Sequence, residues 1–317
     1  MYPKPYLTIP AQIELLKSRG MSVPDIPKAS EYLQRIGYYR LSAYWHPMRK
    51  RDPDTGDVLD EFVEGTSFTE ATDLYTFDGR LRLITLDALE RLEVSLRTEV
   101  ALQLGQHDPL AHRDLNRLDR GFAKPRWRGG APKHREWLNQ LDERAARSKD
   151  QFAEHFRTKY PNDDMPIWIA VELLDFGPLS HLLNGMKFAD RQRIGSNYKG
   201  IHANLLGSWS HSLAYVRNIC AHHGRLWNKP LVNQPALSNP PPPPELRHVP
   251  NASRYYAVAA IVRFMLKTAN PRTSWRDRFV AHIDTFPNSP RFSIDAAGFP
   301  ANWQNEPLWR SSSSPLD

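Results

Sequence analysis

The sequence has almost no cysteine and no long apolar run. Cys220 is its single cysteine, so a disulfide within the chain and a cysteine-based zinc site are both excluded. No stretch of about 18 apolar residues occurs, and the first ten residues, MYPKPYLTIP, lack the apolar core of a secretory signal. We therefore expect a protein without a membrane span, located in the reducing cytoplasm.

Alternating strand patterns are also almost absent, whereas apolar residues recur at helical spacing through most of the chain. The longest stripe runs from Thr69 to about Gly105, with Thr69 as the expected N-cap. Turn formers between residues 48 and 68 predict a loop or small hairpin in front of it. We expect an all-α helical bundle with additional N-terminal helices, this hairpin or loop insertion, and a C-terminal helical extension.

Three segments are expected along the chain. Residues 1–68 form an N-terminal helical region that includes the loop or hairpin, and residues 69–235 form the helical core. Residues 236–317 hold a stiff polyproline spacer, the C-terminal helices and a tail. Two tryptophans in this tail predict that it docks on the core.

Charged residues within two predicted helices require an explanation. The nearly apolar stretch Pro166–Phe176 predicts one buried helix, in which Glu172 needs a partner or a water-filled cavity. The Gly-Pro pair directly after it is expected to break the chain. On the longest helix, opposite charges three and four residues apart are explained by surface ion pairs. The alternative is that Glu90, Glu93 or Arg97 reaches into an active site.

Positive charge is concentrated in one region. The chain has a net charge of +7, and residues 111–149 contain eleven Lys and Arg against five Asp and Glu. A predicted loop in this region places a tryptophan between two arginines, and cations beside a stacking ring suit single-stranded nucleic acid. The alternative is a solvated, flexible surface loop. The candidate RNA-binding residues are Lys124, Arg126, Trp127, Arg128 and Lys133 in this loop, together with Arg225.

A compact group of polar side chains lies near the end of a helix predicted over residues 204–223. Arg217, Asn218 and His222 fall within six residues, and Asn218 and His222 are one helical turn apart. Arginine holds phosphate oxygens bidentately, and imidazole transfers protons near neutral pH. By spacing alone, surface salt bridges with His223 capping the helix also explain the group. The spacing fits no metal-ligand pattern.

The segment VRNICAHHGRLWN, from Val216 to Asn228, resembles the signature of the abortive-infection Abi family of the AbiD/AbiF type. Further matches to that family are spread over nearly the whole chain. They are Lys4-Pro5 with Leu7-Thr8 and Gln12, Gly37 to Leu41, Tyr75 to Arg82, Ala88 to Arg97, Trp168 with Glu172, Phe176 to Ser180, Gly298 to Pro300 with Trp303, and Pro307 to Trp309. Each motif is weak singly, but their order along the chain is specific.

The Abi family is placed in the HEPN superfamily of helical-bundle proteins, many of which are metal-independent ribonucleases. Their mark is an arginine, often followed by a polar residue, with a histidine after four to six further residues. The resemblance therefore implies Arg217, Asn218 and His222 as catalytic residues, although His223 also falls within the permitted spacing. HEPN nucleases commonly join two such motifs across a dimer, so this chain, with one motif, is expected to form a homodimer. No metal or other cofactor is implied.

The resemblance implies a function as well as a fold. The expected activity is RNA cleavage through a 2′,3′-cyclic phosphate, in abortive-infection phage defence or as a toxin. A second interpretation is a module that holds a cognate small noncoding RNA without cutting it. A third is a protein-interaction subunit with no RNA role. The sequence leaves these three alternatives open.

Overall fold

The computed structural model describes residues 5–310 and shows a helical protein with one small hairpin. The helices are α1 (Ile9–Ser18), α2 (Ile26–Ile36), α3 (Tyr38–Trp45), α4 (Phe68–Gly105), α5 (Lys133–Arg147), α6 (Gln151–Lys159), α7 (Ile167–Ala170), α8 (Phe176–Gly185), α9 (Phe188–Asn197), α10 (Ala203–Ala221), α11 (Tyr255–Ala269) and α12 (Trp275–Ile283). The strands β1 (Arg49–Arg51) and β2 (Val58–Phe62) pair antiparallel. The all-α class with a small hairpin is confirmed, and its HEPN-like character stays a prediction.

The long helix α4 is the central element of the core. Its 38 residues give it a length of about 57 Å, and it packs against α3, α10, α11 and α12. It begins with a capping box, in which Ser67 accepts from the Glu70 N–H and the Glu70 carboxylate accepts from the Ser67 N–H. The expected N-cap at Thr69 is therefore wrong by two residues, because the reciprocal pair forms around Ser67.

Helix α10 carries Arg217 and Asn218, ends just before His222, and packs closely against the bundle. It packs on α8, α9 and α4, and Trp209, Leu213, Val216 and Cys220 on its apolar face are buried. The Trp209 indole donates to the Ala236 carbonyl. This packing leaves only a narrow face of α10 exposed, which includes His211 and Asn218.

The apolar stretch before α8 differs from the prediction. Helix α7 ends at Ala170, a short 3-10 turn follows, and Leu174 and Asp175 are extended. Glu172 is therefore not buried in a helix, since 53% of its side chain is exposed. The Gly-Pro pair does not break the chain but lies in the first turn of α8, where proline is tolerated because the N–H it lacks has no partner there.

The C-terminal part docks on the core, as predicted. Trp303 and Trp309 are buried, and the Trp309 indole donates to the hydroxyl of Tyr256 at 3.0 Å. All three predicted segments contribute side chains to one hydrophobic core, and their division into domains stays a prediction. Lys4 of the family-like opening and residues 311–317 of the tail lie outside the described residues.

Candidate active site at the end of helix α10

Helix α10 ends in a backbone motif that fixes the two adjacent histidines in different environments. His222 is the C-cap residue, and His223 has a positive φ of 56°. The His223 N–H donates to the Cys220 carbonyl and the Gly224 N–H donates to the Ile219 carbonyl. These are the paired bonds of a Schellman motif. The left-handed position of this motif, which favours glycine, is occupied by His223, and Gly224 follows it.

The turn after α10 is anchored by a buried carboxylate on α4. Asp78 is fully buried and accepts from the backbone N–H groups of Leu226 and Trp227, the latter at 2.8 Å. It also accepts from the Tyr44 hydroxyl at 2.7 Å and from Arg82 at 2.6 Å. This network joins α3, α4 and the turn, so the end of α10 has a fixed position.

The Arg217 guanidinium lies between two carboxylates. Its Nε is 3.9 Å from Glu93 Oε2 and its Nη2 is 3.7 Å from Asp175 Oδ1. Both distances exceed those of hydrogen bonds. Within residues 5–310 the one side-chain hydrogen bond of Arg217 runs from Nη1 to Asn218 Oδ1 at 3.2 Å. The acids therefore orient the guanidinium and leave most of its N–H donors available for another ligand.

Glu93 is the residue of the long helix that meets this site. Its carboxylate accepts from Arg97 at 2.5 Å, and Arg97 also donates to the Leu174 carbonyl. Burial raises the pKa of Glu93 above its ordinary value, although Arg97 and Arg217 oppose the shift. Of the three residues for which an active-site position was the alternative, Glu93 contacts Arg217 and Arg97 supports Glu93. Glu90 is exposed on the helix surface.

Sequence reasoning missed Asp175 and its partner Arg144. Asp175 accepts from Arg144 of α5 at 2.8 Å, and its Oδ1 lies 3.7 Å from Nη2 of Arg217. No spacing along the chain indicates this contact, because the three residues come from α5, the segment before α8, and α10. The packing of these elements brings them together.

Asn218 and His222 face solvent. Both side chains are exposed, and among the described residues the His222 ring has no hydrogen-bond partner. The suggested surface salt bridges exist for Arg217 but not for His222. An exposed imidazole five residues after an oriented arginine, at the same helix end, supplies groups that can transfer a proton and bind a phosphate.

The basic loop, residues 121–132, lies between α4 and α5. It contains four of the six predicted RNA-binding residues. Of the other two, Lys133 is the first residue of α5, and Arg225 lies in the turn after α10. Trp127 is 63% exposed; its ring packs against Gly130, and the exposed part is accessible for stacking. Arg225 differs, since it is partly buried and donates to the Ala43 carbonyl. Burial lowers the pKa of Arg225, and at least one of its donors is used by the fold.

The described residues contain neither a group of metal ligands nor a membrane-spanning helix. Across residues 5–310, no three His, Cys, Asp or Glu side chains are grouped as metal ligands. In the same range, no helix combines the length and apolar character that crossing a bilayer requires.

Comparison with known proteins gives one clear match. No curated protein and no solved structure matches the chain significantly. A family described as Abi-like protein matches residues 31–228, a range that includes Glu93, Asp175, Arg217 and His222 and covers more than half of the chain. The chain belongs to the Abi-like protein family.

Proposed function

We propose that this protein is a metal-independent endoribonuclease that acts in abortive-infection defence. Membership of the Abi-like family supports the role in defence. The observation that carries the nuclease proposal is the geometry at the end of α10. There, Glu93 and Asp175 orient the Arg217 guanidinium beside Asn218, and the exposed His222 lies one turn further on.

Cleavage of RNA without a metal needs a base, an acid and a cation that stabilises the charge on the phosphate. A base removes the proton of the 2′-hydroxyl, and the 2′-oxygen attacks the phosphorus. An acid then protonates the 5′-oxygen as its bond to phosphorus breaks. The products are a 2′,3′-cyclic phosphate and a 5′-hydroxyl, so DNA, which has no 2′-hydroxyl, is not cut.

The side chains of the site have matching roles. Arg217 holds the scissile phosphate and stabilises the negative charge that develops on it. Asn218 orients Arg217 through its Oδ1 and keeps its amide N–H groups for the phosphate. His222 transfers a proton. One chain supplies one imidazole at this position, so the proposed enzyme is a homodimer in which two His222 side chains act as base and acid.

The test is incubation of RNA with the purified protein in EDTA. We expect cleavage to persist, to yield 2′,3′-cyclic phosphate ends, and to disappear in Arg217→Ala and His222→Ala. The matched control is His155→Ala, because His155 is an exposed histidine on α6. Cleavage that EDTA abolishes, or that survives both substitutions, contradicts the proposal.

A second candidate function is retention of a small noncoding RNA without cleavage. The exposed Trp127 beside Arg126 and Arg128 favours it, because a stacking ring between cations binds single strands without any catalytic group. RNA that copurifies with the protein and stays intact during the EDTA assay would support this function over the nuclease.

A further inference from the structure

A cavity of about 440 Å³ lies where the basic loop meets α5, α8 and α10. Its volume is within the range of roughly 300–1,000 Å³ that ligand pockets occupy. Lys133, Glu136, Trp137 and Gln140 line it from one face of α5, and His211 comes from α10. The loop side contributes Asp119, Phe122 and Arg126, and α8 contributes His181 and Gly185.

The walls of this cavity are fixed by the fold. The Asp119 N–H donates to the Gly185 carbonyl at 2.8 Å, and the Trp137 indole donates to the Pro178 carbonyl at 2.9 Å. A Cβ atom at Gly185 would lie 2.3 Å from the Phe122 ring, so the loop rests directly on the end of α8. A cavity built in this way is preformed and requires little ordering when a ligand binds.

Nitrogen donors converge on the cavity without partners. The rings of His181 and His211 are stacked with centroids 5.9 Å apart. Within residues 5–310 neither ring has a hydrogen-bond partner, and the Lys133 ammonium forms no ion pair. Arg126 Nε lies 3.8 Å from Glu136, which is longer than a hydrogen bond. Two cationic side chains and two imidazoles thus remain available to one ligand.

We infer that this cavity is a binding subsite for the phosphate group of a nucleotide, distinct from the Arg217 and His222 site. Lys133 and Arg126 supply positive charge, and the two imidazoles supply N–H donors, which together match the oxygens of a phosphate. A base attached to that phosphate can stack on the exposed ring of Trp127 in the adjoining basic loop.

The cavity is connected to the proposed active site. His211, Asn218 and His222 share one face of α10, because residues seven and eleven positions apart are nearly aligned on a helix. His211 and His222 are about 16 Å apart along the axis. In addition, Gln140 lines both this cavity and a neighbouring groove that contains Arg144 and Asp175, and Asp175 contacts Arg217. A single strand can therefore occupy both places.

The charges around the cavity are nearly balanced. Two acids, Asp119 and Glu136, line it together with Arg126 and Lys133. Burial lowers the pKa of His181, and the nearby Arg126 and His211 add to this shift. The His181 ring is therefore neutral near pH 7 and offers an N–H donor to a phosphate without adding charge.

The experiment measures binding of uridine 5′-monophosphate, uridine and inorganic phosphate to the full chain by calorimetry. We expect the monophosphate to bind more tightly than uridine, and inorganic phosphate to compete with it. Affinity for the monophosphate should fall about tenfold or more in the double variant His181→Gln/His211→Gln, since a charge-assisted hydrogen bond contributes a factor of this size. Lys133→Gln, at the first position of α5, should weaken binding similarly without altering the core.

One control variant completes the design. His155→Gln, an exposed histidine on α6, should bind the monophosphate like the unmodified protein. Equal binding of uridine and its monophosphate, or unchanged affinity in Lys133→Gln and in the double variant, overturns the inference. This inference rests on the proposed function only because it takes RNA as the ligand. Binding of the monophosphate by a protein that does not cut RNA would support this subsite and contradict the nuclease proposal.

Discussion

Arg217 Nε lies 3.9 Å from Glu93 Oε2, and this contact joins the last turns of α10 to the middle of α4. Glu93 is in turn held by Arg97, and Asp175 approaches the same guanidinium from the segment before α8. The arginine of the proposed site is therefore positioned by parts of the chain that are far apart in sequence. The role of Glu93 as a positioning residue leads to the first prediction.

Glu93→Gln is expected to lower kcat for RNA cleavage about tenfold, a loss of about 1.4 kcal/mol in transition-state stabilisation. The amide keeps the shape of the side chain but removes the charge that orients Arg217. Steady-state kinetics at neutral pH measure the effect. The control is Glu90→Gln, one turn earlier on the exposed surface of α4, which should cleave at the unmodified rate. Full activity of Glu93→Gln would show that the contact has no part in catalysis.

His223→Gly is expected to stabilise the protein by about 1 kcal/mol, because glycine adopts a positive φ without the steric cost that histidine has there. Its cleavage rate should stay near that of the unmodified protein if His222 is the catalytic histidine. Urea unfolding and the cleavage assay measure the two effects separately. Loss of cleavage in His223→Gly, with activity retained in His222→Ala, would assign catalysis to His223 instead.

Asp78→Asn is expected to destabilise the fold by about 3–5 kcal/mol, since it leaves the buried Arg82 without its partner charge. The amide also cannot accept all the hydrogen bonds that the carboxylate accepts from Tyr44, Leu226 and Trp227. Chemical denaturation gives the difference. The control Asp87→Asn, an ion-paired but partly exposed residue of the same helix, should cost no more than about 1 kcal/mol. A similar cost for both variants would contradict the anchoring role of Asp78.

The buried His112 is expected to make the protein sensitive to acid. Burial lowers its pKa from 6.5 to about 4, and among the described residues neither ring nitrogen has a partner. As the pH falls from 6.5 to about 4, the unfolded chain takes up a proton that the folded one does not. His112 therefore lowers the free energy of unfolding by up to about 3 kcal/mol as the pH falls from 6.5 to about 4. Above pH 6.5 it has no such effect.

His112→Phe tests this expectation. The free energy of unfolding should fall less between pH 6.5 and 4 in this variant than in the unmodified protein, by the contribution of the histidine. His155→Gln is the control, because it removes an exposed histidine of α6 and no buried one. Identical acid sensitivity of His112→Phe and the unmodified protein would mean that other groups cause the loss of stability.

Periodicity predicted the helices well because each buries a continuous apolar stripe, as α4 does through Leu74, Leu81, Leu92 and Val100. The prediction of one helix over Pro166–Phe176 failed at Leu174, because the composition of an apolar run does not distinguish an α-helix from a turn. The cap at Ser67 had a readable signal in the Ser-x-x-Glu pattern that ends at Glu70.

The candidate site could be predicted only in part. The group from Arg217 to His222 is local, so its spacing and its resemblance to a family pointed to it. Contacts of Arg217 with Glu93 and Asp175 depend on how helices pack, and nothing in the local sequence encodes them. The same holds for the cavity, where His181 and His211 meet across α8 and α10.

The most direct test of the central claim is the rate of RNA cleavage, in EDTA, by a heterodimer that contains one unmodified chain and one His222→Ala chain. The two chains carry different tags and are purified together after coexpression. Because the proposed site uses one His222 from each chain, the heterodimer should cleave at least about a hundredfold more slowly than the unmodified dimer. A heterodimer with half the unmodified rate would contradict the account, since each chain would then carry a complete site.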